Sequence, residues 1–423
     1  EHLLNLEQNV IVLDKQYPSN DILMQIEQST NGKSKFILCD ITRYNDVYRA
    51  FNFLKKQYQQ QLKKQESSSS TSSLDIGAMP SMLADDKSID SINSLNTLNS
   101  LNTSSSDITK HYKIDCVFHC AALTDPWAHP SLYENVNING TSNVIRACQE
   151  CNITKLIYTS SSNVVLDGSD CQNGDESMKY VSKKNHLNAY SYSKHKAEEK
   201  ILLANNTKCL NESYKLLTCA LRPHCIFGPR DTHFISQIIN KARAGKITHM
   251  IGEGHNITDF TYIDNVVHAH LLAAKALKPS NAIAAGQVYF ITNGEPTLFW
   301  SFLGAILQQL GCPRPTKYIS YNVAYAIALI MEFIYMIFGW IFGWKPIITR
   351  QMVVTMACHH WFSHAKATRD LGYKPIVTLD HGIKKTVQWL QWQHRGRRRS
   401  SRDSSYSSSM AGSDSTESLR SLR

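Results

Sequence analysis

Short apolar runs of strand length alternate with helical patterns along most of this 423-residue chain. The apolar runs cover residues 10–13, 36–38, 116–118, 156–158, 216–221 and 288–291. Helical patterns lie between them, at residues 47–53, 136–148, 197–203 and 266–277. Continuous apolar strands separated by helices are typical of a parallel sheet that is covered on both faces. We therefore predict a doubly wound parallel α/β domain that binds ligands at the carboxyl ends of its strands.

Two tracts of low complexity interrupt this pattern. Residues 60–110 are rich in Ser and Asn, and residues 393–423 are basic and then Ser-rich. Such polar tracts cannot bury enough apolar surface to offset the entropy of ordering, so we predict a disordered insertion and a disordered tail. The main α/β domain is placed at residues 1–310 and a smaller C-terminal lobe at residues 311–392.

Charge and cysteine content exclude several classes of protein. The net charge of +10 is mild and lies partly in the tail, so we expect no nucleic-acid partner. A solvated tail and a tail attracted to anionic lipid both remain open. The eleven cysteines lack a disulfide framework, which favours a reducing compartment. The pair Cys148 and Cys151 has no second half, so we expect ordinary small residues and no metal site.

One apolar segment does not fit the α/β pattern. Residues 321–344 contain a single charge, Glu332, no proline, and Tyr and Trp near both ends. At about 1.5 Å per residue this segment is long enough to cross a bilayer with some tilt. A buried core helix is the alternative. Core helices this long and this apolar are rare, so we predict contact with a membrane.

Three predicted strands end in residues that suit a dinucleotide. Asp14 closes the first strand, where an acidic residue can bond ribose hydroxyls. Asp40 closes the second and could meet an adenine amine. Either is also an ordinary strand-end Asp. The third strand ends in His119-Cys-Ala-Ala, and small residues such as Ala121 let a flat cofactor approach the backbone.

A Tyr and a Lys four residues apart share one helical face, where the ammonium lowers the phenol pKa from about 10. Such a tyrosine can accept an alcohol proton. The spacing occurs three times, at Tyr180/Lys184, Tyr190/Lys194 and Tyr192/Lys196. We choose the middle pair because it alone gives Tyr-x-x-Ser-Lys-x-x-Ala-Glu. The third pair is the fallback, and the first lies in a polar loop.

Several longer motifs accompany this pair. They begin at Val117 (VFHCA), Val136 (VNINGTSNVI), Tyr158 (YTSS), Arg222 (RPHCIFGPRD), Asp259 (DFTYIDNVVHAH) and Thr292 (TNGEP). With them, residues 10–392 outside the insertion resemble the extended short-chain dehydrogenases. Within these the chain is most similar to the 3β-hydroxysteroid dehydrogenase branch and its decarboxylating sterol-4α-carboxylate 3-dehydrogenases. The resemblance implies a Rossmann-like fold with NAD as cofactor.

The resemblance implies a role for each matching residue. Tyr190 matches the proton acceptor, and Lys194 matches the lysine that binds the nicotinamide ribose and lowers the tyrosine pKa. Ser161 matches the serine that bonds the substrate oxygen, with its neighbours Ser160 and Ser162 left open.

Further positions match the family more loosely. Asn137 matches an asparagine that helps to hold the lysine through water, and Pro223 lies in the segment that passes the nicotinamide. Arg222 and Asp264 are left as structural charges.

The activity that the resemblance implies is NAD-dependent oxidation of a sterol 3β-hydroxyl with loss of carbon dioxide, in sterol C4 demethylation. It implies an endoplasmic reticulum membrane or a lipid droplet, facing the cytosol. Implied partners are a sterol substrate, a second copy of the chain and other C4-demethylation enzymes. A 3β-hydroxy-Δ5-steroid dehydrogenase/isomerase and a non-catalytic membrane scaffold are the alternatives.

Two features depart from the family pattern. A first strand and a GxxGxxG turn, which hold the pyrophosphate, precede the acidic residue in the family. Here only residues 1–9 precede Val10, so we expect a fragment that lacks a middle strand, or else weak NAD binding. Residues 365–375 and 379–387 resemble the closing segment of the catalytic domain. If these residues pack on the catalytic domain, both ends of the apolar segment 321–344 must lie on the same side of the membrane. An in-plane or re-entrant anchor is therefore expected rather than a span.

Overall fold

The computed structural model describes residues 10–16, 34–53, 114–231, 235–245, 247–280, 282–339 and 345–393. The predicted insertion at 60–110 lies outside the described residues, as does the predicted tail apart from residue 393.

Strands and helices alternate along the described chain. The strands are β1 Val10–Asp14, β2 Ser34–Leu38, β3 Val117–His119, β4 Lys155–Thr159, β5 Cys171–Gly174, β6 Thr207–Lys208, β7 Lys215–Pro223, β8 Ile226–Phe227, β9 His249–Ile251, β10 Ile257–Thr258, β11 Thr261–Tyr262, β12 Val288–Ile291, β13 Thr297–Leu298, β14 Lys317–Ile319 and β15 His360–Phe362. The helices are α1 44–53, α2 Pro130–Tyr133, α3 Gly140–Glu150, α4 Ala189–Leu203, α5 Ile235–Arg243, α6 Ile263–Ala276, α7 Phe299–Gln309, α8 Tyr321–Ile334, α9 Arg350–Ala357, α10 Ala365–Leu371 and α11 379–393. A π-turn at Glu134–Asn139 joins α2 to α3, and another at Tyr335–Gly339 extends α8.

The main sheet contains four parallel strands in the order β12-β7-β4-β3, and the short strand β6 pairs antiparallel with β7. Successive residues of a strand point to opposite faces, and β4 shows this directly. Leu156 packs with Ala197 of α4 on one face, whereas Ile157 packs with Ala269 and Ala273 of α6 on the other. Both faces are therefore covered, which explains why the strand is a continuous apolar run. The predicted α/β architecture is confirmed, and the six predicted strands lie within two residues of the observed ones.

Strands β1 and β2 form a separate parallel pair. Within the described ranges, strand hydrogen bonds do not join this pair to the main sheet. Helix α1 instead packs its buried Val47 and Phe51 against α3. The Asn143 side chain of α3 also donates to the carbonyl of Ile41 at 2.8 Å. These contacts hold β1 and β2 beside the main sheet.

A second hydrophobic core lies beyond the carboxyl ends of the main strands. It combines aromatic residues of the central chain, such as Phe227 and Phe260, with Phe302 of α7 and Leu390 of α11. The cluster contains residues from before and after residue 310, the predicted boundary between the main domain and the C-terminal lobe. The division into two domains at that boundary stays a prediction.

Helix α8 and its π-turn contact the rest of the protein through a narrow face. Ala324 and Ala328 are buried, whereas Ile330, Phe333 and Met336 are 57%, 57% and 68% exposed. By length and composition, residues 321–339 could cross a membrane, and 17% of their apolar window is buried. A buried core helix, the alternative reading of this segment, does not fit that exposure.

Candidate active site

The start of helix α4 positions the predicted catalytic pair. The Asn188 side chain accepts the backbone N–H of Ser191 at 2.8 Å and caps the helix. The helix therefore begins eight residues before the predicted 197–203 pattern. Tyr190 falls in its first turn and Lys194 in its second, so both face the carboxyl end of β4.

Lys194 is almost fully buried, at 2% exposure. Its Nζ donates to the backbone oxygen of Thr159 at 2.6 Å and lies 4.1 Å from the ring centre of Tyr158. Burial lowers the Lys194 pKa to about 7, although Cys120 and Glu198 act in the opposite direction. A buried amine with a pKa close to neutral is typical of functional sites.

Tyr190 lies against Ser161 and Tyr133. Its ring meets the Tyr133 ring edge-on at 6.4 Å. Burial raises the pKa of Tyr190 to about 12, and a hydrogen bond from the Ser161 hydroxyl partly offsets this. The prediction that Lys194 lowers the Tyr190 pKa is wrong for this structure. The reason is that the Lys194 ammonium is directed to the Thr159 carbonyl and the Tyr158 ring.

In each of the two other Tyr/Lys pairs, at least one side chain is bonded to a different residue. The Lys196 side chain is 40% exposed and pairs with Glu199. The Tyr180 hydroxyl donates to Glu198 at 2.7 Å, while Lys184 is exposed in a short 3₁₀ turn. The geometry thus favours Tyr190 and Lys194 as the pair at the carboxyl edge of the sheet.

The three serines after β4 have different partners. The Ser162 hydroxyl lies 2.6 Å from Nδ1 of His224, and the Ser160 side chain is buried. Ser161 caps a short 3₁₀ turn, where its Oγ accepts the N–H of Asn163 at 3.2 Å, and also bonds Tyr190. Of the three, Ser161 is the serine that contacts the predicted base.

Asn137 lies buried in the π-turn between α2 and α3. Its Nδ2 donates to Ser193 Oγ at 2.8 Å, and Ser193 in turn donates to the Tyr190 carbonyl at 2.7 Å. Its Oδ1 accepts the N–H of Leu123 at 2.7 Å. One side chain thus connects the loop after β3 to the first turn of α4. π-Turns are frequently found at functional sites.

The predicted cofactor-binding residues lie at strand ends. Asp14 ends β1 and is exposed, and Ala121 is exposed just after β3. Pro223 ends β7, where it is buried. Asp40 follows β2, and its Oδ1 accepts the Thr42 backbone N–H at 2.9 Å and the Thr42 hydroxyl at 2.8 Å. Burial raises its pKa, but these two bonds, together with the charges of Arg43 and Lys15, outweigh burial and leave the pKa lowered.

A buried ion pair behind Lys194 was not predicted as part of the site. Arg222 donates to Glu198 through Nη2 at 2.6 Å and through Nε at 3.1 Å, and both side chains are nearly inaccessible. Glu198 lies one helical turn after Lys194. The Glu at the end of the Tyr-x-x-Ser-Lys-x-x-Ala-Glu motif is the signal that could have identified it.

The loop that follows β3 connects the site to α8. The Tyr133 hydroxyl donates to the carbonyl of Asp125, and the Tyr335 hydroxyl donates to the carbonyl of Trp127 at 3.0 Å. The Trp127 and Tyr335 rings pack edge-on at 4.9 Å. Tyr133 also contacts Tyr190, so one loop touches both the predicted base and the exposed apolar helix.

Comparison with known proteins places the chain in a family. Residues 52–321 match the model of the 3-beta hydroxysteroid dehydrogenase/isomerase family. The chain is 39% identical over 275 residues to the mouse (Mus musculus) sterol-4-alpha-carboxylate 3-dehydrogenase, decarboxylating, covering 65% of this chain and 74% of that protein. It is 42% identical over 278 residues to 3beta-hydroxysteroid-dehydrogenase/decarboxylase isoform 1 of Arabidopsis thaliana, covering 64% of this chain and 61% of that relative.

A solved structure shares the fold. The UDP-glucose 4-epimerase of Thermus thermophilus, solved as a complex with NAD, aligns over 92% of this chain and 93% of its own. The TM-score is 0.56 and the identity 17%, so the likeness concerns the fold alone. From the family match and the two relatives, the chain belongs to the 3-beta hydroxysteroid dehydrogenase/isomerase family.

Proposed function

We propose that the protein is an NAD-dependent dehydrogenase that oxidises the 3β-hydroxyl of a 4α-carboxysterol to the ketone, with loss of carbon dioxide, in sterol C4 demethylation. The observation that carries this proposal is the buried Lys194, one helical turn after Tyr190 and bonded to the carbonyl of Thr159 at the carboxyl edge of a parallel sheet. The names of the mouse and Arabidopsis relatives support the substrate class.

The described residues suit the two ends of NAD. Asp14 and Asp40 would serve the adenosine end, and Ala121, Pro223 and Lys194 the nicotinamide end. Lys194 is suited to bind a ribose hydroxyl because its ammonium lies at the carboxyl end of β4. There it donates to the backbone oxygen of Thr159 and has further N–H groups to donate. When bound, NAD supplies the acceptor for the hydride that leaves the sterol C3.

Ser161 and Tyr190 hold the reacting oxygen. The Ser161 hydroxyl orients the sterol 3β-hydroxyl, and the Tyr190 oxygen takes its proton. A Tyr190 pKa of about 12 is too high for this transfer at neutral pH. Catalysis therefore requires the Lys194 ammonium to turn from the Thr159 carbonyl towards Tyr190 and stabilise the phenolate. Asn137, bonded through Ser193 to the Tyr190 carbonyl, keeps this turn of the helix in place during the shift.

Loss of carbon dioxide needs no further base. The product of oxidation is a 3-keto-4-carboxylate, and a β-keto acid decarboxylates readily because its ketone accepts the electron pair. The protein has only to hold the ketone oxygen, which Tyr190 and Ser161 already contact as the hydroxyl.

We further propose that α8 and its π-turn anchor the protein in the endoplasmic reticulum membrane or on a lipid droplet, with the catalytic domain in the cytosol. The exposed apolar side chains of this segment support membrane contact. After it, α10 and α11 return to the protein, where Leu371 and Leu390 join its hydrophobic clusters. Both ends of the segment then lie on one side, as an in-plane or re-entrant anchor requires. Protease protection of a C-terminal tag in sealed vesicles would contradict this.

The finer fold and the protein partners are also proposals. We propose that the β1–β2 pair and the main sheet belong to one doubly wound sheet. A further parallel strand would lie between β1 and β3 in that sheet, and this strand and a glycine-rich turn would come before β1 in the chain. Asp14 and Ala121 support this, since they lie at the carboxyl ends of β1 and β3, the two strands that would flank the further strand. A homodimer and other enzymes of sterol C4 demethylation are the proposed protein partners, and no nucleic acid is expected.

The test is an assay of the full-length protein in microsomes with NAD and a 4α-carboxysterol. We expect NADH and carbon dioxide to form together, Tyr190→Phe to abolish both, and the matched variant Tyr192→Phe to retain them. NADH without carbon dioxide, combined with turnover of a 3β-hydroxy-Δ5-steroid, would favour the dehydrogenase/isomerase activity that the family description names. No NADH from any 3β-hydroxysterol would favour the non-catalytic scaffold.

A further inference from the structure

Cys120 differs from the other ten cysteines of the chain. All eleven lie in described residues, and Cys120 is exposed while the others are buried or partly buried. It follows β3 directly, next to Ala121, at the carboxyl edge of the sheet. The residue is exposed as a whole, whereas its Sγ lies against Thr159, whose backbone oxygen accepts from Lys194.

A hydroxyl and an imidazole form a relay from this thiol. The Thr159 hydroxyl lies 3.1 Å from Cys120 Sγ and 2.7 Å from Nε2 of His270. Nδ1 of His270 lies 2.8 Å from the carbonyl of Val266, which can only accept, so Nδ1 carries a proton. Nε2 is then able to receive a second proton, which passes from the thiol through the Thr159 hydroxyl. The product is a thiolate that accepts from Thr159, close to an imidazolium.

The electrostatics agree with this geometry. Burial raises the pKa of Cys120, but His270, Thr159 and Lys194 outweigh burial and leave the pKa lowered. By contrast, burial raises the pKa of Cys39 to about 11 and that of Cys116 to about 12. A thiolate is the nucleophilic form of cysteine, so Cys120 is the thiol in this chain that is built to react.

We propose that Cys120 is a modification site that takes small disulfides, with oxidised glutathione as the probe, and that the adduct blocks the cleft. The Cys120 thiolate attacks one sulfur of the disulfide, so a new S–S bond forms and the original S–S bond breaks. The released thiolate takes up the proton held by His270. Cys120 is oxidised and one glutathione is reduced, and an excess of thiol reverses the exchange.

The adduct lies where it would prevent turnover. Its sulfur would be bonded beside Thr159, whose carbonyl accepts from Lys194, and beside Ala121. Lys194 and Ala121 belong to the nicotinamide end of the site proposed above, and the loss of activity therefore rests on the proposed function. The modification itself does not depend on it.

The experiment treats the full-length protein in its membrane with oxidised glutathione and maps the adducts by mass spectrometry. Cys312, which is partly exposed, is the internal control. We expect Cys120 to be modified about ten-fold faster than Cys312 at neutral pH, because Thr159, His270 and Lys194 favour the Cys120 thiolate. NAD should slow the modification, dithiothreitol should reverse it, and Cys120→Ser should remove it. Equal rates at the two cysteines would overturn the proposal.

The relay has a separate test in the pH dependence of alkylation by iodoacetamide. The rate at Cys120 should reach its plateau at a lower pH than the rate for a free thiol, whose ordinary pKa is about 8.5, and His270→Gln should move the Cys120 profile to higher pH. Should His270→Gln fail to fold, the wild-type profile decides, and a plateau no lower than that of the free thiol would refute the relay.

Activity measurements separate this proposal from the proposed function. A protein that is modified at Cys120 but shows no dehydrogenase activity before treatment would support the modification site and refute the function. A protein that stays fully active with Cys120 completely modified would refute the block.

Discussion

Burial of Lys194 should lower the stability of the fold, and this can be measured with Lys194→Met. The Lys194 pKa falls from its ordinary value of 10.5 to about 7, which corresponds to roughly 5 kcal/mol of unfavourable free energy while the amine is charged. Methionine has a similar length and no charge, so it removes this penalty. It also leaves the Thr159 carbonyl without its donor, at about 2 kcal/mol, and removes the contact with the Tyr158 ring, at about 1 kcal/mol. The net expectation near neutral pH is a stabilisation of about 2 kcal/mol, together with loss of activity.

The pH dependence is the sharper signature. Between pH 7 and 10.5 the unfolded chain binds a proton at Lys194 that the folded chain has lost, so the stability of the wild type rises with pH across this window. The penalty is complete below about pH 7 and vanishes near 10.5. Lys194→Met should therefore stabilise the protein at pH 7 and destabilise it at pH 10, where the neutral amine of the wild type carries no charge penalty and still donates to the Thr159 carbonyl.

The assay is unfolding in urea at both pH values, in detergent micelles, for the wild type and the variant. Other groups that titrate over this range cancel in the difference. Lys196→Met is the matched control: its side chain is 40% exposed and paired with Glu199, so a change within about 0.5 kcal/mol is expected at both pH values. A difference for Lys194→Met that does not change with pH would refute the reasoning.

Three further predictions concern a buried ion pair, a closely packed helical glycine and the loop after β3. Glu198→Gln should destabilise the protein by about 3 to 5 kcal/mol in urea unfolding, since it leaves Arg222 buried and unpaired, whereas Glu212→Gln, in an exposed pair, should change it by less than about 0.5 kcal/mol. Gly140→Ala should cost about 1 to 3 kcal/mol because its Cβ would lie 2.8 Å from Cδ1 of Ile41, and adding Ile41→Ala should recover part of that loss relative to Ile41→Ala alone. Trp127→Ala should raise KM for a sterol delivered in vesicles and leave kcat unchanged, and equal effects on both constants would contradict the role of this loop.

Much of the fold could be predicted from local pattern. A strand such as β4, covered on both faces, must be apolar at consecutive positions, and that run is visible in the sequence. The start of α4 was missed because the polar residues 189–196 give no amphipathic signal. It is set by a single side chain, the Asn188 cap.

The composition of the site could be predicted better than its electrostatics. Residue spacing correctly brought Tyr190 and Lys194 to one helical face. It could not indicate the direction of the Lys194 ammonium, since that depends on the Thr159 carbonyl at the end of a strand 35 residues earlier. The Arg222–Glu198 pair and the relay from Cys120 to His270 were missed for the same reason, because each joins elements that are distant in the chain.

The contact between Trp127 and Tyr335 has a consequence for how a water-insoluble reactant reaches the base. The loop that carries Trp127 also accepts the Tyr133 hydroxyl, and Tyr133 touches Tyr190. A sterol dissolved among lipid tails beside the exposed helix would thus be separated from the proton acceptor by one loop and one aromatic ring. With the proposed membrane anchor, the sterol would therefore reach Tyr190 laterally from the hydrocarbon layer, past the loop that carries Trp127. How deeply α8 inserts in that layer would then control access of the sterol to the base.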